Sequence, residues 1–146
     1  MRAVAARVRR ASVTVEQDDG SSHVSAAISG PGLLVLLGVH RDDTATTATE
    51  MGRKLHELRI LEGEQSCADL GAPLLIVSQF TLYGDTRKGR RPSWSAAARP
   101  EIAAPLVDAV VAALRARGAH VETGEFGAAM AVESVNDGPF TVILEL

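Results

Sequence analysis

The spacing of apolar residues changes along this chain, and the change restricts the folds that it can adopt. Residues 11–16 alternate between apolar and polar side chains, which predicts a strand with one buried face. The turn signal Asp18-Asp19-Gly20 is followed by a second expected strand over 22–29, which closes a hairpin. The apolar run 33–39 follows Gly30-Pro31-Gly32 and predicts a strand that is buried on both faces or belongs to a barrel.

Two later segments have helical spacing instead. Residues 48–58 place apolar side chains on one stripe, and Thr47 with Glu50 is expected to form a capping box. Residues 103–114 form a second amphipathic helix, which is expected to stop at Gly118. Residues 62–72 are expected to be loop, and further strands are expected over 73–80, 119–123, 129–135 and 140–146.

The order of these elements indicates the fold class. Seven strands and two main helices without strict alternation predict an α+β fold, with a mixed or antiparallel sheet or a barrel-like core. A length of 146 residues without a Pro/Gly/Ser-rich linker predicts a single domain over 1–146. A hydrophobic fraction of 46% and a charged fraction of 23% exclude disordered, collagen-like and coiled-coil classes.

The chain has no feature of an exported, membrane or metal-binding protein. No apolar stretch approaches the roughly 18–20 residues of a membrane span, and residues 1–10 lack the apolar core of a secretion signal. The single cysteine, Cys67, fits a reducing compartment and is expected to be an inert thiol in a polar loop. The four histidines have no metal-ligand spacing. A cytoplasmic protein without metal or other cofactor is therefore expected.

Residues 78–94, SQFTLYGDTRKGRRPSW, combine aromatic and basic side chains. Phe80, Tyr83 and Trp94 are three of only five aromatic residues in the chain. Between residues 85 and 91, four bases and one acid give a local charge of +3 on a chain whose net charge is −3. Aromatic faces beside arginines bind unstacked nucleotides, although a strand end followed by a solvated loop has the same pattern. The four bases are Arg87, Lys88, Arg90 and Arg91.

The second motif is NDGPFT at residues 136–141. This sequence is typical of a turn between two terminal strands. The bond between Gly138 and Pro139 is also one that can be cis. A cis Gly-Pro unit directs two backbone carbonyls at one point with no side chain in the way, and such a pair can accept a substrate ammonium group.

Together the two motifs resemble the D-aminoacyl-tRNA deacylase family. SQFTLY at 78–83, RKGRRPSW at 87–94 and NDGPFT at 136–141 occur in the family's order, and the likeness covers nearly all of 1–146. One departure is the stretch 61–73, which is shorter than is usual in the family.

The resemblance implies a homodimer that hydrolyses the ester between a D-amino acid, or glycine, and the 3′-terminal adenosine of tRNA. It also implies an active site that both subunits build at their interface. A backbone gate from the partner subunit would reject L-amino acids. The implied catalytic residues are Ser78, Gln79, Phe80 and Thr81, the implied gate and substrate-binding residues are Gly138, Pro139, Met130 and Arg7, and the implied tRNA contacts are Arg87, Lys88, Arg90 and Arg91.

The chemistry leaves alternatives open. Thr81 is a candidate nucleophile, but no neighbouring residue in the sequence marks a base that would activate it. The vicinal ribose hydroxyl of the tRNA is a second candidate, and we favour it. A protein that binds the tRNA 3′ end without turnover is the alternative function, and a hydrolase or isomerase of free D-amino acid derivatives is a third.

Overall fold

The computed structural model describes all 146 residues. The elements are β1 (Arg2–Glu16), β2 (Ser22–Gly38), α1 (Ala45–Glu57), α2 (Cys67–Leu70), β3 (Leu74–Ser78), α3 (Pro100–Ala116), β4 (Val121–Thr123) and β5 (Ala129–Glu145), with 3-10 turns at Glu62–Glu64 and Phe80–Tyr83. The five strands form one sheet in the order β4-β3-β2-β1-β5. The β1–β2 and β1–β5 pairs are antiparallel, whereas β2–β3 and β3–β4 are parallel. The α+β prediction with a mixed sheet is confirmed, and the sheet is open rather than a closed barrel.

The prediction of seven strands was wrong, because two expected breaks lie inside continuous strands. Gly30-Pro31-Gly32 is part of β2, and the motif at 136–141 is part of β5 rather than a turn between two strands. Both segments lie beside the same irregular part of β1, where the register shifts between Val8 and Arg10 on both sides. A bulge in the shared neighbour accommodates the glycines and prolines, so pairing resumes beyond them.

The bulge in β1 also changes which face of the sheet its side chains occupy. Before it, Ala3 and Ala5 lie in the larger core cluster beneath the helices. Beyond it, Ala11 and Val13 keep the same odd numbering but lie in a second cluster, together with Val8, which precedes the bulge, and Leu75 and Val77 of β3. Because neighbouring residues of β2 and β3 also divide between the two clusters, these strands are buried on both faces, as the apolar run 33–39 predicts.

The two long helices cover the face of the larger cluster. Helix α1 begins after Thr44, whose side chain forms a capping box with Thr47, so the expected box of Thr47 with Glu50 was wrong by one turn. Helix α3 begins with Pro100 at its first position, and Gly118 follows its end with a φ of +82°. Where α1 crosses α3, the Cα of Gly52 allows close contact, since a Cβ there would lie 3.0 Å from the Cβ of Ala113. No helix is long and apolar enough to cross a membrane.

Residues 62–72 are more ordered than the expected loop. They contain a 3-10 turn and the short helix α2, which Ser66 and Asp69 cap through a capping box. Cys67 is fully buried in the larger core cluster, and its burial raises the pKa of the thiol to about 12. The expectation of a polar-loop position for Cys67 was therefore wrong, while a thiol with so high a pKa is unreactive at neutral pH.

Candidate active site

The candidate site forms where the central parallel strand β3 ends. Strand β3 stops at Ser78, two residues earlier than the sequence predicts, and the backbone N–H of Gln79 donates to the Leu37 carbonyl at 2.8 Å. The chain then turns through a 3-10 turn, Phe80–Tyr83, beside Gly38. A Cβ at Gly38 would lie 3.0 Å from the Gln79 carbonyl oxygen, so only glycine lets the turn pack this closely.

An apolar pocket of about 560 Å³ opens at this strand end. Thirteen of its eighteen lining residues are hydrophobic, and they come from the ends of β2 and β3, the segment 94–100, the start of α3 and the start of β5. Of the residues expected in the site, the pocket brings together Ser78, Gln79, Phe80 and Met130. The side chain of Met130 also packs against the second core cluster. Met130 is therefore both a pocket residue and a core residue.

Thr81 lies next to this group but is not part of the pocket wall. Its Oγ1 accepts a hydrogen bond from the side-chain amide of Gln79. No histidine, lysine or carboxylate forms a hydrogen bond with this hydroxyl, which agrees with the lack of an activating base in the sequence. The Gln79–Thr81 contact fixes both side chains at the start of the 3-10 turn.

The three aromatic residues of the first motif divide between two places. Phe80 and Trp94 meet edge to face with ring centroids 5.3 Å apart, and both line the pocket. Tyr83 points away, with its ring 5.1 Å from His40 and 4.9 Å from the guanidinium carbon of Arg2. Burial raises the pKa of Tyr83 to about 12, so it is a neutral packing residue.

The basic residues lie on an exposed loop between paired residues Asp85 and Ser93. Arg87 forms an ion pair with Asp85 at 2.7 Å, and this contact lowers the pKa of Asp85 to about 2. Arg90 and Arg91 form no ion pair. The free positive charge of the loop is therefore carried by Lys88, Arg90 and Arg91, while Arg87 is neutralised locally.

The second motif lies outside the pocket of this chain. Gly138 and Pro139 are exposed, are joined by a cis peptide bond and are not among the pocket residues. Arg7 fixes this segment, because its guanidinium donates to the Asp137 carbonyl at 3.1 Å and to the Ile60 carbonyl at 3.3 Å. The same guanidinium stacks 4.2 Å from the centroid of the Phe140 ring.

The sequence reading missed several residues of the pocket wall. Phe126 and Ala128 reach it from the segment that precedes β5, and Arg99 reaches it from the start of α3. Phe126 could have been identified as a candidate from the sequence, because it is an aromatic residue that follows the expected strand at 119–123 and precedes Gly127. Nothing in the sequence around Arg99 indicates that it lines a pocket. No cluster of three or more His, Cys, Asp or Glu side chains is placed to hold a metal ion.

Comparison with solved structures places the molecule in a known class of α+β folds. A structure described as a c-Myc DNA Unwinding Element Binding Protein superimposes with a TM-score of 0.88 at 39% identity, over 100% of this chain and 99% of that one. A structure of a probable eukaryotic D-amino acid tRNA deacylase superimposes with a TM-score of 0.81 over 99% and 98% of the two chains. Its 19% identity supports the shared fold alone.

Sequence comparison is more specific. A family model described as D-Tyr-tRNA(Tyr) deacylase matches residues 4–145. A D-aminoacyl-tRNA deacylase of Thermobifida fusca is 62% identical over 146 residues, which cover 100% of both chains. One of Kineococcus radiotolerans is 61% identical over 145 residues, which cover 99% of each chain. The chain belongs to the D-Tyr-tRNA(Tyr) deacylase family.

Proposed function

We propose that this protein is a cytoplasmic D-aminoacyl-tRNA deacylase, which hydrolyses the ester of D-aminoacyl-tRNA and releases the free D-amino acid and tRNA. The observation that carries the proposal is the position of Ser78, Gln79 and Phe80 on the wall of an apolar pocket beside a loop with free positive charge. Family membership and relatives near 60% identity with the deacylase name support the same reaction.

The pocket suits the terminal nucleoside of the tRNA. Its volume of about 560 Å³ lies within the range of small-molecule sites, which are mostly apolar with a few polar groups. Phe80 and Trp94 offer exposed aromatic surface on which a base can stack. Lys88, Arg90 and Arg91 lie between Phe80 and Trp94 in the chain, on the exposed loop, where they can bind backbone phosphates.

Hydrolysis requires stabilisation of the oxyanion that forms at the ester carbonyl. The backbone N–H of Phe80 begins a 3-10 turn and so has no partner within that turn. Directed at the oxyanion, such a donor contributes about 3–4 kcal/mol to the transition state. Gln79 and Ser78 orient the ester. Water attacks the ester carbonyl with assistance from the vicinal ribose hydroxyl, and the bond to the esterified ribose oxygen breaks, so that this oxygen takes a proton and leaves as the free hydroxyl of the tRNA. Thr81 is a positioning residue in this scheme, because its hydroxyl accepts from Gln79 and has no base beside it.

The gate against L-amino acids requires a second copy of the chain. Gly138 and Pro139 do not line the pocket of their own chain, and beyond the two adjacent residues only Asn136 Oδ1 lies within 4 Å of a Cβ built at Gly138. Their exposed backbone is thus available to a partner subunit, while Arg7 holds it in place from within. In a two-fold dimer, each chain would place this segment against the Ser78–Thr81 edge of the other.

An apolar row on the face of the sheet opposite the helices supports the proposal of this dimer. Leu36, Val4 and Ile143 are paired neighbours on three adjacent strands. The residues before and after Val4 point into the core beneath the helices, so this apolar row lies on the opposite face. Ile143 remains 67% exposed, which is unusual for a large apolar residue in a sheet and fits an interface.

A backbone gate explains strong selectivity. A pocket that merely prefers one side chain discriminates by about 1–3 kcal/mol, or roughly 10- to 200-fold. A rigid wall that collides with any L side chain excludes the abundant L-aminoacyl-tRNA outright. Glycine has no side chain to collide, so the same wall accepts glycyl-tRNA.

The test is a deacylation time course on matched D-tyrosyl-tRNA and L-tyrosyl-tRNA, with glycyl-tRNA as a third substrate. We expect rapid loss of the D and glycyl esters and none of the L ester. Loss of both tyrosyl esters would remove the gate and keep the hydrolase. Loss of neither, with tRNA still bound, would replace the enzyme by a protein that binds the tRNA 3′ end.

A further inference from the structure

Arg99 is one of the few arginines in the chain whose charge has no internal partner. Ten of the thirteen arginines form an ion pair or donate to a backbone carbonyl. The three others are Arg90, Arg91 and Arg99. Two of these lie on the basic loop, and the third lies on the wall of the pocket. Free positive charge therefore extends from the loop to the pocket.

The composition of the pocket wall indicates what Arg99 can bind. Arg99 is the only charged residue among the eighteen that line it, and thirteen of the others are hydrophobic. The side chain is exposed, so it lies at the open side of the pocket rather than in its depth. A guanidinium without a carboxylate partner at the mouth of a neutral pocket is suited to an anionic group on the ligand.

The backbone at Arg99 is fixed although its side chain is free. The N–H of Ala98 donates to the Val39 carbonyl at 2.9 Å, which ties the preceding residue to the end of β2. The carbonyl of Arg99 itself accepts from Ala103 at 2.8 Å in the first turn of α3. Because the Cα is held from both sides, the conformational cost to the protein of using Arg99 is the ordering of one side chain.

We propose that Arg99 forms a phosphate-binding subsite at the mouth of the pocket, which takes the phosphate on the 5′ side of the nucleoside within it. The proposal rests on the proposed function, which places the terminal nucleoside of tRNA in this pocket. The loop residues Arg90 and Arg91 then bind phosphates further along the strand. Arg99 thus fixes the direction in which the nucleic acid enters the pocket.

The proposal is tested by titrating the full-length protein with adenosine and with adenosine 5′-monophosphate in a calorimeter. We expect the monophosphate to bind about tenfold more tightly than adenosine, as one charge-assisted contact at an exposed site provides. In Arg99→Gln this preference should disappear while adenosine affinity stays within twofold. Arg99→Lys should keep most of the preference, since it keeps the charge.

The control variant is Lys54→Gln, which removes one positive charge from the exposed side of α1, outside the pocket. It should keep the wild-type preference for the monophosphate. Equal binding of the two ligands by wild-type protein would overturn the phosphate subsite and leave the nucleoside pocket in place. Binding of neither ligand would overturn the nucleoside pocket and the subsite together. Tighter binding of a free D-amino acid than of the monophosphate would assign Arg99 to a carboxylate and overturn the proposal.

Salt dependence gives a second measurement on the natural ligand. Each phosphate contact contributes about 0.7 to the slope of log affinity against log salt for a single strand. Deacylated tRNA binding by Arg99→Gln should therefore have a slope lower by about this amount than wild type or Lys54→Gln. An unchanged slope would place the phosphate elsewhere.

Discussion

The hydrogen bond from Gln79 to Thr81 determines what the Thr81 hydroxyl can do. An acceptor of an amide proton with no base beside it is a poor nucleophile, whereas loss of a true nucleophile costs 10⁴-fold or more in turnover. We predict that Thr81→Ala lowers single-turnover deacylation of D-tyrosyl-tRNA by less than about tenfold. Thr49→Ala, an exposed residue of α1, is the matched control. A loss of several orders of magnitude would restore the covalent route.

The four bases of the basic loop should not contribute equally to tRNA binding. The guanidinium of Arg87 is occupied by Asp85, whereas Arg90 is free. We predict that Arg90→Gln lowers the salt slope of tRNA binding by about 0.7 and that Arg87→Gln changes it much less. Because the pKa of Asp85 is near 2, this difference should persist at any pH from 5 to 9. Equal effects of the two variants would show that tRNA displaces Asp85 from Arg87.

The part of the candidate site that is formed by neighbouring residues could be predicted from the sequence. Motif residues such as Ser78 and Gln79 lie side by side in the chain, so their proximity in the pocket needs no long-range information. Arg99 was not predictable, because the sequence does not show which arginines find partners. Arg7 reaches Asp137 across 130 positions of sequence, and only the β1–β5 pairing brings them together.

At the scale of elements, the turn from Gly84 to Trp94 sets the shape of the pocket wall. A Cβ at Gly84 would lie 2.7 Å from Cζ3 of Trp94, so any side chain there must displace the ring. Base stacking on one aromatic side chain contributes about 1–3 kcal/mol. We predict that Gly84→Ala weakens adenosine binding at least several-fold.

The measurement is intrinsic fluorescence, since Trp94 is the only tryptophan in the chain. Adenosine should change the emission of wild-type protein and of Thr86→Ala, an exposed neighbour on the same loop. Gly84→Ala should have a shifted emission before ligand is added. Wild-type affinity in Gly84→Ala would mean that the ring of Trp94 does not hold the base.

The sequence predicted an element well where its pattern is local and poorly where its limits depend on the strand that it pairs with. The helical stripe at 103–114 and the alternation at 11–16 were enough to identify α3 and part of β1, because both patterns are local. Gly30-Pro31-Gly32 wrongly predicted a break between two strands, because a bulge in the neighbouring strand β1 allows β2 to continue through these residues. The short helix α2 was missed because four residues cannot show helical periodicity.

At the scale of the whole molecule, the proposed gate residues Gly138 and Pro139 do not line the pocket of their own chain, so the proposed function needs a second copy. We predict that the protein sediments as a dimer at micromolar concentration and that Ile143→Asp makes it monomeric. The monomer should lose D-tyrosyl-tRNA deacylation yet still bind adenosine, because the pocket is built within one chain. Val24→Asp is the control, because Val24 is 63% exposed on β2 and is outside the Leu36–Val4–Ile143 row. A stable wild-type monomer with full activity would contradict the two-subunit site.

Strand β1 contributes residues to both core clusters and also carries Arg7, which holds the segment of the proposed gate. The strand pairs over most of its length with β2 on one side and β5 on the other. Subglobal opening that released Arg7 would have to break hydrogen bonds on both sides and expose both clusters, so it approaches the cost of unfolding the chain. The proposed gate and the scaffold consequently form one cooperative unit. If the proposed gate operates, any substitution that loosens β1 acts at once on protein half-life and on stereochemical fidelity.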